Sequence, residues 1–233
     1  MTYLILALVG FLLIALIFSA TAYNRMLKAY QKYDEEFAYC NLTGYQFACL
    51  AIDRLKLKTK IAIVGEELEE CYLPRKNVVC LSMHTANSKS ISSICITAHE
   101  LGHAVQNKNQ NLLFVLQSCL QTLGRIAMWL LPPIFVAGVV MIFIPSVADV
   151  GNALLLISLF SVLIIFLLKV MTIPVEIQAS KIAKKFLQEN FVLDGEELKH
   201  GSKVLDAAAG TYIASLFMPI LKFFRSLGRA FRR

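Results

Sequence analysis

The sequence predicts a mainly helical α+β membrane protein, with about three transmembrane helices and a small β-sheet. Three observations carry that prediction. Three long blocks hold no charged residue, short apolar runs bounded by turn-forming residues read as strands, and helical apolar spacing recurs between them. The 233 residues are 57% hydrophobic, above the ~45–50% usual for soluble domains, and the excess lies in the three blocks.

The blocks are Tyr3–Ala20, Ala127–Val147 and Gly151–Leu168, each near the ~20 residues that a bilayer crossing needs. Ala20-Thr21-Ala22 resembles a signal-peptide cleavage site. However, Met1-Thr2-Tyr3-Leu4 lacks a positive flank, and the basic residues Arg25, Lys28 and Lys32 come after the block. Residues 1–22 are therefore read as an uncleaved N-terminal anchor. The connection Ser146–Asn152 holds no Lys or Arg, whereas Arg125 and Lys169 flank the second and third blocks. The positive-inside rule then makes 126–171 a membrane hairpin and puts 23–125 and 172–233 in the cytoplasm. The predicted location is the cell membrane, multi-pass, with both soluble segments on the cytoplasmic side.

Charge and cysteine content narrow the partners. The net charge of +7 comes from residues flanking membrane blocks, not from a dense basic patch with interleaved aromatics, so the bilayer and its anionic lipids are expected partners and nucleic acid is not. None of the six cysteines forms a CxxC pair, and in a reducing cytosol they read as buried thiols.

Along the soluble parts, Arg25–Phe37 reads as a polar exit from the anchor. Asn41–Gly44 starts a helix that carries Phe47, Leu50, Ala51 and Leu55 at helical spacing. Lys60–Val64 and Asn77–Ser82 read as strands, with Glu66–Glu70 an acidic loop and Leu73–Lys76 a turn. Thr85–Lys89 reads as a polar loop. Ser90, Ser92 and Ser93 are candidate N-caps of a helix running to about Gln106. Leu112–Leu123 reads as an amphipathic lead-in to the hairpin, which Pro132-Pro133 is expected to kink. Pro174 suits the first turn of a new helix. Val204–Leu221 reads as a packed or interfacial helix, followed by a basic tail near anionic lipid.

The chemistry concentrates in His99-Glu100-Leu101-Gly102-His103. Histidines four apart lie on one helix face and can offer two nitrogens to a single tetrahedral Zn²⁺, while the glutamate between them can reach a water at the ion without ligating it. A third protein ligand is required, and by residue type the candidates are His84, His200, Glu176, Asp194, Glu196 and Glu197. Glu176 is the best placed, five residues past Met171 at the end of the predicted hairpin. The competing reading makes it an ordinary first-turn glutamate favoured by the helix dipole. Gly102 costs ~1 kcal/mol relative to alanine within a helix, which suggests close approach of another backbone. Cys95 shares the His99 face but lies two turns from His103, so it reads as core.

These segments together resemble the bacterial membrane-associated neutral zinc metallopeptidases, the YugP-like group. The resemblance runs through Leu42-Thr43-Gly44, Val78–Ser82, Ser90–Gln106 with its HExxH, the hairpin, Pro174-Val175-Glu176 with Ala179-Ser180, and Leu205–Tyr212. It departs from the usual pattern at Gln178, where an acidic residue is usual. The resemblance implies a zincin-like HExxH helix with His99, His103 and Glu176 as zinc ligands and Glu100 as catalytic base. The implied reaction is peptide-bond hydrolysis by a zinc-activated water on peptide or protein substrates, and the predicted closeness of Glu176 to the bilayer suggests membrane proteins among them. Tyr212 and His84 are candidate oxyanion donors by chemistry, and the Asn77–Ser82 strand is a candidate sheet edge for an extended substrate. A zinc-binding membrane scaffold without protease activity is the alternative, and a small-molecule or lipid hydrolase a second.

Overall fold

The computed structural model describes residues 17, 20–64, 70–190 and 192–215. Most of the predicted anchor, Glu66 to Glu69 and the basic tail from Lys222 lie outside the described residues. The described helices are α1 (20–34), α2 (Gly44–Arg54), α3 (Met83–Asn87), α4 (Ile91–Lys108), α5 (Leu112–Ile142), α6 (Ala148–Glu189) and α7 (Gly195–Ser215). The strands are β1 (Lys60–Val64), β2 (Cys71–Leu73) and β3 (Val78–Ser82). The chain forms two compact units. One is Thr21–Val115 with Ile173–Tyr212, and the other is built on Leu116–Thr172.

In the first unit the helix starts follow side-chain chemistry. Thr43 and Gln46 form a reciprocal capping box at α2. Ser82 accepts from the Thr85 amide at 3.1 Å and opens α3. Residues 85–87 are thus helical where the composition suggests a loop, because a hydroxyl cap supplies the first turn with a partner. Of the three candidate serines, Ser90 is the cap of α4, accepting from the Ser93 amide at 3.1 Å. Its hydroxyl also donates to Asp34 Oδ1 at 2.6 Å, tying the start of α4 to the end of α1.

The described sheet has the order β1-β3-β2, with β3 parallel to β1 and antiparallel to β2. This corrects the sequence reading of Asn77–Ser82 as an edge: Val78–Ser82 is the central strand. Its Val79 and Leu81 are fully buried in a core shared with Ile94, Leu101 and Ala104 of α4. A continuous apolar run suits a strand paired on both sides. The three-residue β2, with no alternating pattern of its own, forms as the short first arm of a hairpin with β3, turning at residues 74–77.

Gly102 explains its place in α4. A Cβ there would lie 2.6 Å from the carbonyl oxygen of Ala179 on α6, so the missing side chain lets the two helices meet backbone to backbone. Pro174 differs from expectation, because it sits inside α6 rather than in a first turn. Helix already runs from Ala148, and it continues through the proline despite the internal hydrogen bond lost there. Glu176 is consequently not a helix-start glutamate, and the dipole reading of that residue falls.

In the second unit, α5 and the first part of α6 are joined by a 3₁₀ turn at Pro145–Val147. They close on glycines: a Cβ on Gly151 would lie 2.9 Å from the Gly138 carbonyl oxygen. Helix α5 continues through Pro132 and Pro133. Among the described residues, Leu112–Ile142 and Pro145–Val162 are long and apolar enough to cross a membrane by length and composition. Their exposed side chains include Trp129, Leu159 and Phe160, each more than 60% accessible.

Candidate metal centre

Helix α4 is buried along most of its length, an unusual setting for its polar residues. His99, Glu100 and His103 are 5–8% exposed. The i, i+4 spacing sets the two imidazoles 4.9 Å apart between ring centroids at an interplanar angle of 85°. Helix α6 brings Glu176 against them, with its Oε2 3.1 Å from both His99 Nε2 and His103 Nε2. One ligand atom from each of the three residues lies within 4.8 Å of the others, the only such cluster of metal-binding residues among those described.

The far ring nitrogens are also engaged. His99 Nδ1 lies 3.1 Å from Ser180 Oγ, and His103 Nδ1 lies 2.9 Å from Gln106 Oε1. The Phe114 ring stacks on His103 at 5.8 Å. With each Nδ1 occupied, both Nε2 atoms are directed at one point beside a buried carboxylate oxygen. Two imidazole nitrogens and one carboxylate oxygen suit Zn²⁺, and three protein ligands leave a fourth position for water or substrate. The residues therefore fit a zinc ion on donor chemistry and orientation alike.

The electrostatics are those of a desolvated cluster. Burial pushes the Glu100 carboxyl up; His103 and His99 oppose this, and the Glu176 and Glu70 carboxylates add to it. Burial acts against the charge on His103, but its hydrogen bond to Glu176 and the nearby carboxylates hold it up to about 9. For Glu176 burial is again unfavourable to charge, and the two histidine hydrogen bonds bring it down to about 2. Glu70, just ahead of β2, is fixed near this cluster by hydroxyl donation from Ser82 at 2.6 Å and Thr85 at 2.5 Å.

The other third-ligand candidates are used elsewhere. His84 pairs with Asp34 Oδ2 at 2.7 Å, which also takes it away from an oxyanion role. His200 pairs with Glu36 Oε2 at 2.7 Å. Glu196 bonds to Lys199, and Glu197 accepts from the Tyr39 amide. Asp194 contributes its carbonyl to the start of α7. The side chain of Tyr212 lies outside the described residues. Cys95 is fully buried in the core. Sequence reasoning missed Gln106, Ser180 and Glu70. For the first two a signal existed: Gln106 is three residues past His103 and Ser180 four past Glu176, each one turn along the same helix.

Residues 8–230 match the family described as "Putative neutral zinc metallopeptidase". Over 198 residues the chain is 32% identical to a Bacillus subtilis (strain 168) protein described as "Putative membrane protease YugP", with 84% of each chain covered. No solved structure matches the chain. A match spanning nearly the whole sequence, joined to a buried His-His-Glu cluster, places this chain in the neutral zinc metallopeptidase family.

Proposed function

We propose that the protein is a membrane-bound zinc metalloendopeptidase whose active site faces the cytoplasm. The observation that carries this reading is the convergence of His99 Nε2, His103 Nε2 and Glu176 Oε2 around one point, with Glu100 on the intervening turn. In this reading His99, His103 and Glu176 hold the zinc. A zinc ion held there would supply Lewis acidity toward the scissile carbonyl and would make a water deprotonable near neutral pH. Glu100 is the general base. It takes a proton from the attacking water and returns it to the leaving amine as the C–N bond breaks. Its buried setting raises its proton affinity toward the range where both transfers are efficient.

Membrane attachment is supported by the two apolar helices and by the name of the Bacillus relative. Exposed Trp129 and Phe160 on those helices would be costly in water and suit lipid. The basic flanks of the apolar blocks support a multi-pass arrangement with residues 1–22 as anchor, 126–171 as hairpin and 23–125 plus 172–233 in the cytoplasm. Substrates are peptides or proteins, and membrane proteins are favoured because the enzyme is held at their surface.

The test uses protein purified in detergent. Wild type and Glu100→Gln should hold equal zinc, whereas cleavage of unfolded and membrane-protein substrates should fall by roughly 10²–10⁴-fold in the variant. Equal cleavage by both would overturn the mechanism and leave a non-proteolytic zinc scaffold or another hydrolase. Glu176→Ala should lose zinc; full retention would remove Glu176 from the ligand set.

A further inference from the structure

Gln106 is 1% exposed, and its whole side-chain amide is engaged. Its Nε2 donates to the Val175 carbonyl oxygen at 2.8 Å and to Gln178 Oε1 at 3.1 Å, while its Oε1 lies 2.9 Å from His103 Nδ1. Gln178 Oε1 also accepts from Asn111 Nδ2 at 2.8 Å. This network has one consistent reading. A backbone carbonyl only accepts, so the end of the Gln106 amide facing Val175 must be its NH₂ group. The amide oxygen then faces His103 and can only accept, so Nδ1 of His103 must carry a hydrogen. A neutral imidazole has one N–H. In the neutral imidazole that zinc binding requires, Nε2 is therefore left as a lone pair directed at the centre, whereas in the metal-free pair with Glu176 both nitrogens carry hydrogens.

We infer that Gln106 is a positioning residue that fixes the tautomer and ring orientation of His103 from a grip on the backbone next to Glu176. One side chain on α4 thereby relates two of the three proposed ligands, because Val175 immediately precedes Glu176. Ser180 does not do the same for His99, since a hydroxyl both donates and accepts and so does not choose a tautomer by itself. The neutral amide suits this double task. A carboxylate at 106 could accept from Nδ1 but would face the Val175 carbonyl and Gln178 Oε1 without a proton to offer either.

The inference rests on the zinc reading above, and its test separates the two. Zinc affinity of the full-length protein in detergent is measured by competition with a fluorescent chelator. Failure of the wild type to bind zinc would overturn the zinc reading itself. If the wild type binds, Gln106→Leu should bind roughly 10–100-fold more weakly, the range for loss of a partner behind a ligating histidine. Equal affinity would overturn the role of Gln106. A measurement that needs no variant of Gln106 is nitrogen NMR of the zinc-loaded wild type labelled at histidine, with the His103 signals identified by their loss in His103→Asn. The hydrogen should sit on Nδ1; finding it on Nε2 would overturn the proposal. In folded Gln106→Leu the Nδ1–H resonance should also move, which a merely structural contribution to stability would not cause.

Discussion

Within the cluster, His103 and Glu176 are paired before any metal arrives, and the pairing has a proton consequence. His103, held up to about 9, is protonated at pH 7.5, while Glu176, brought down to about 2, is ionised. Zinc needs the neutral Nε2 lone pair, so binding displaces a proton. Calorimetric titration at pH 7.5 in buffers of different ionisation heat should report about one proton released per zinc, and the release should fade above pH 9. The same shifts give the chelator-stripped protein a stability optimum. His103 has a raised folded pKa, so its contribution is complete below its ordinary 6.5 and is lost as pH rises through about 9. Glu176 has a lowered folded pKa, so its contribution is complete above its ordinary 4.5 and is lost as pH falls through about 2. The pair's stabilising effect is therefore greatest between pH 4.5 and 6.5, which urea denaturation across that range would measure.

Among the elements, the meeting of α4 and α6 decides whether the cluster forms. Gly102 lies between the two histidines and faces the Ala179 carbonyl, and a backbone atom cannot rotate out of the way of a new Cβ. Gly102→Ala should lose about 1–3 kcal/mol of stability by overpacking and weaken zinc binding at the same time; chemical denaturation and zinc competition would read both. This meeting was partly legible in the chain itself. A glycine inside a helix that otherwise carries metal ligands pointed to a close backbone neighbour, and the HExxH spacing fixed the helix face. The neighbour's identity was not legible, because Ala179 is 77 positions away and nothing local encodes the pairing. The sheet shows the same division. Lys60–Val64 and Asn77–Ser82 announce themselves by composition, but their order depends on β2, which pairs across a ladder and has too few residues to carry a pattern. Pro174 misled for a local reason: a proline compatible with a first turn is also tolerated within a long helix when tertiary packing holds the helix together.

For the whole molecule, the charge pattern gives a prediction about sidedness. Cys49 is exposed and belongs to the unit that carries the cluster. In a variant retaining only this cysteine, a membrane-impermeant maleimide should label permeabilised cells and leave intact cells unlabelled. Labelling of intact cells would place the cluster outside and reverse the proposed orientation. Apolar blocks and basic flanks are properties of composition and could be read directly. The completion of the cluster was legible only as a choice among candidates, with Glu176 the best placed, because two of its members and the third lie on either side of the two apolar helices.

That separation bears on biosynthesis. His99 and His103 precede Glu176 by 77 and 73 residues, and the two apolar helices fall in the interval. A ribosome that has made only the first half of the chain has released His99, Glu100 and His103 but not the Glu176 carboxylate that meets them. The proposed ligand set comes into being only once translation has passed the two apolar helices, so a chain stalled before them lacks the carboxylate that the proposed zinc site needs.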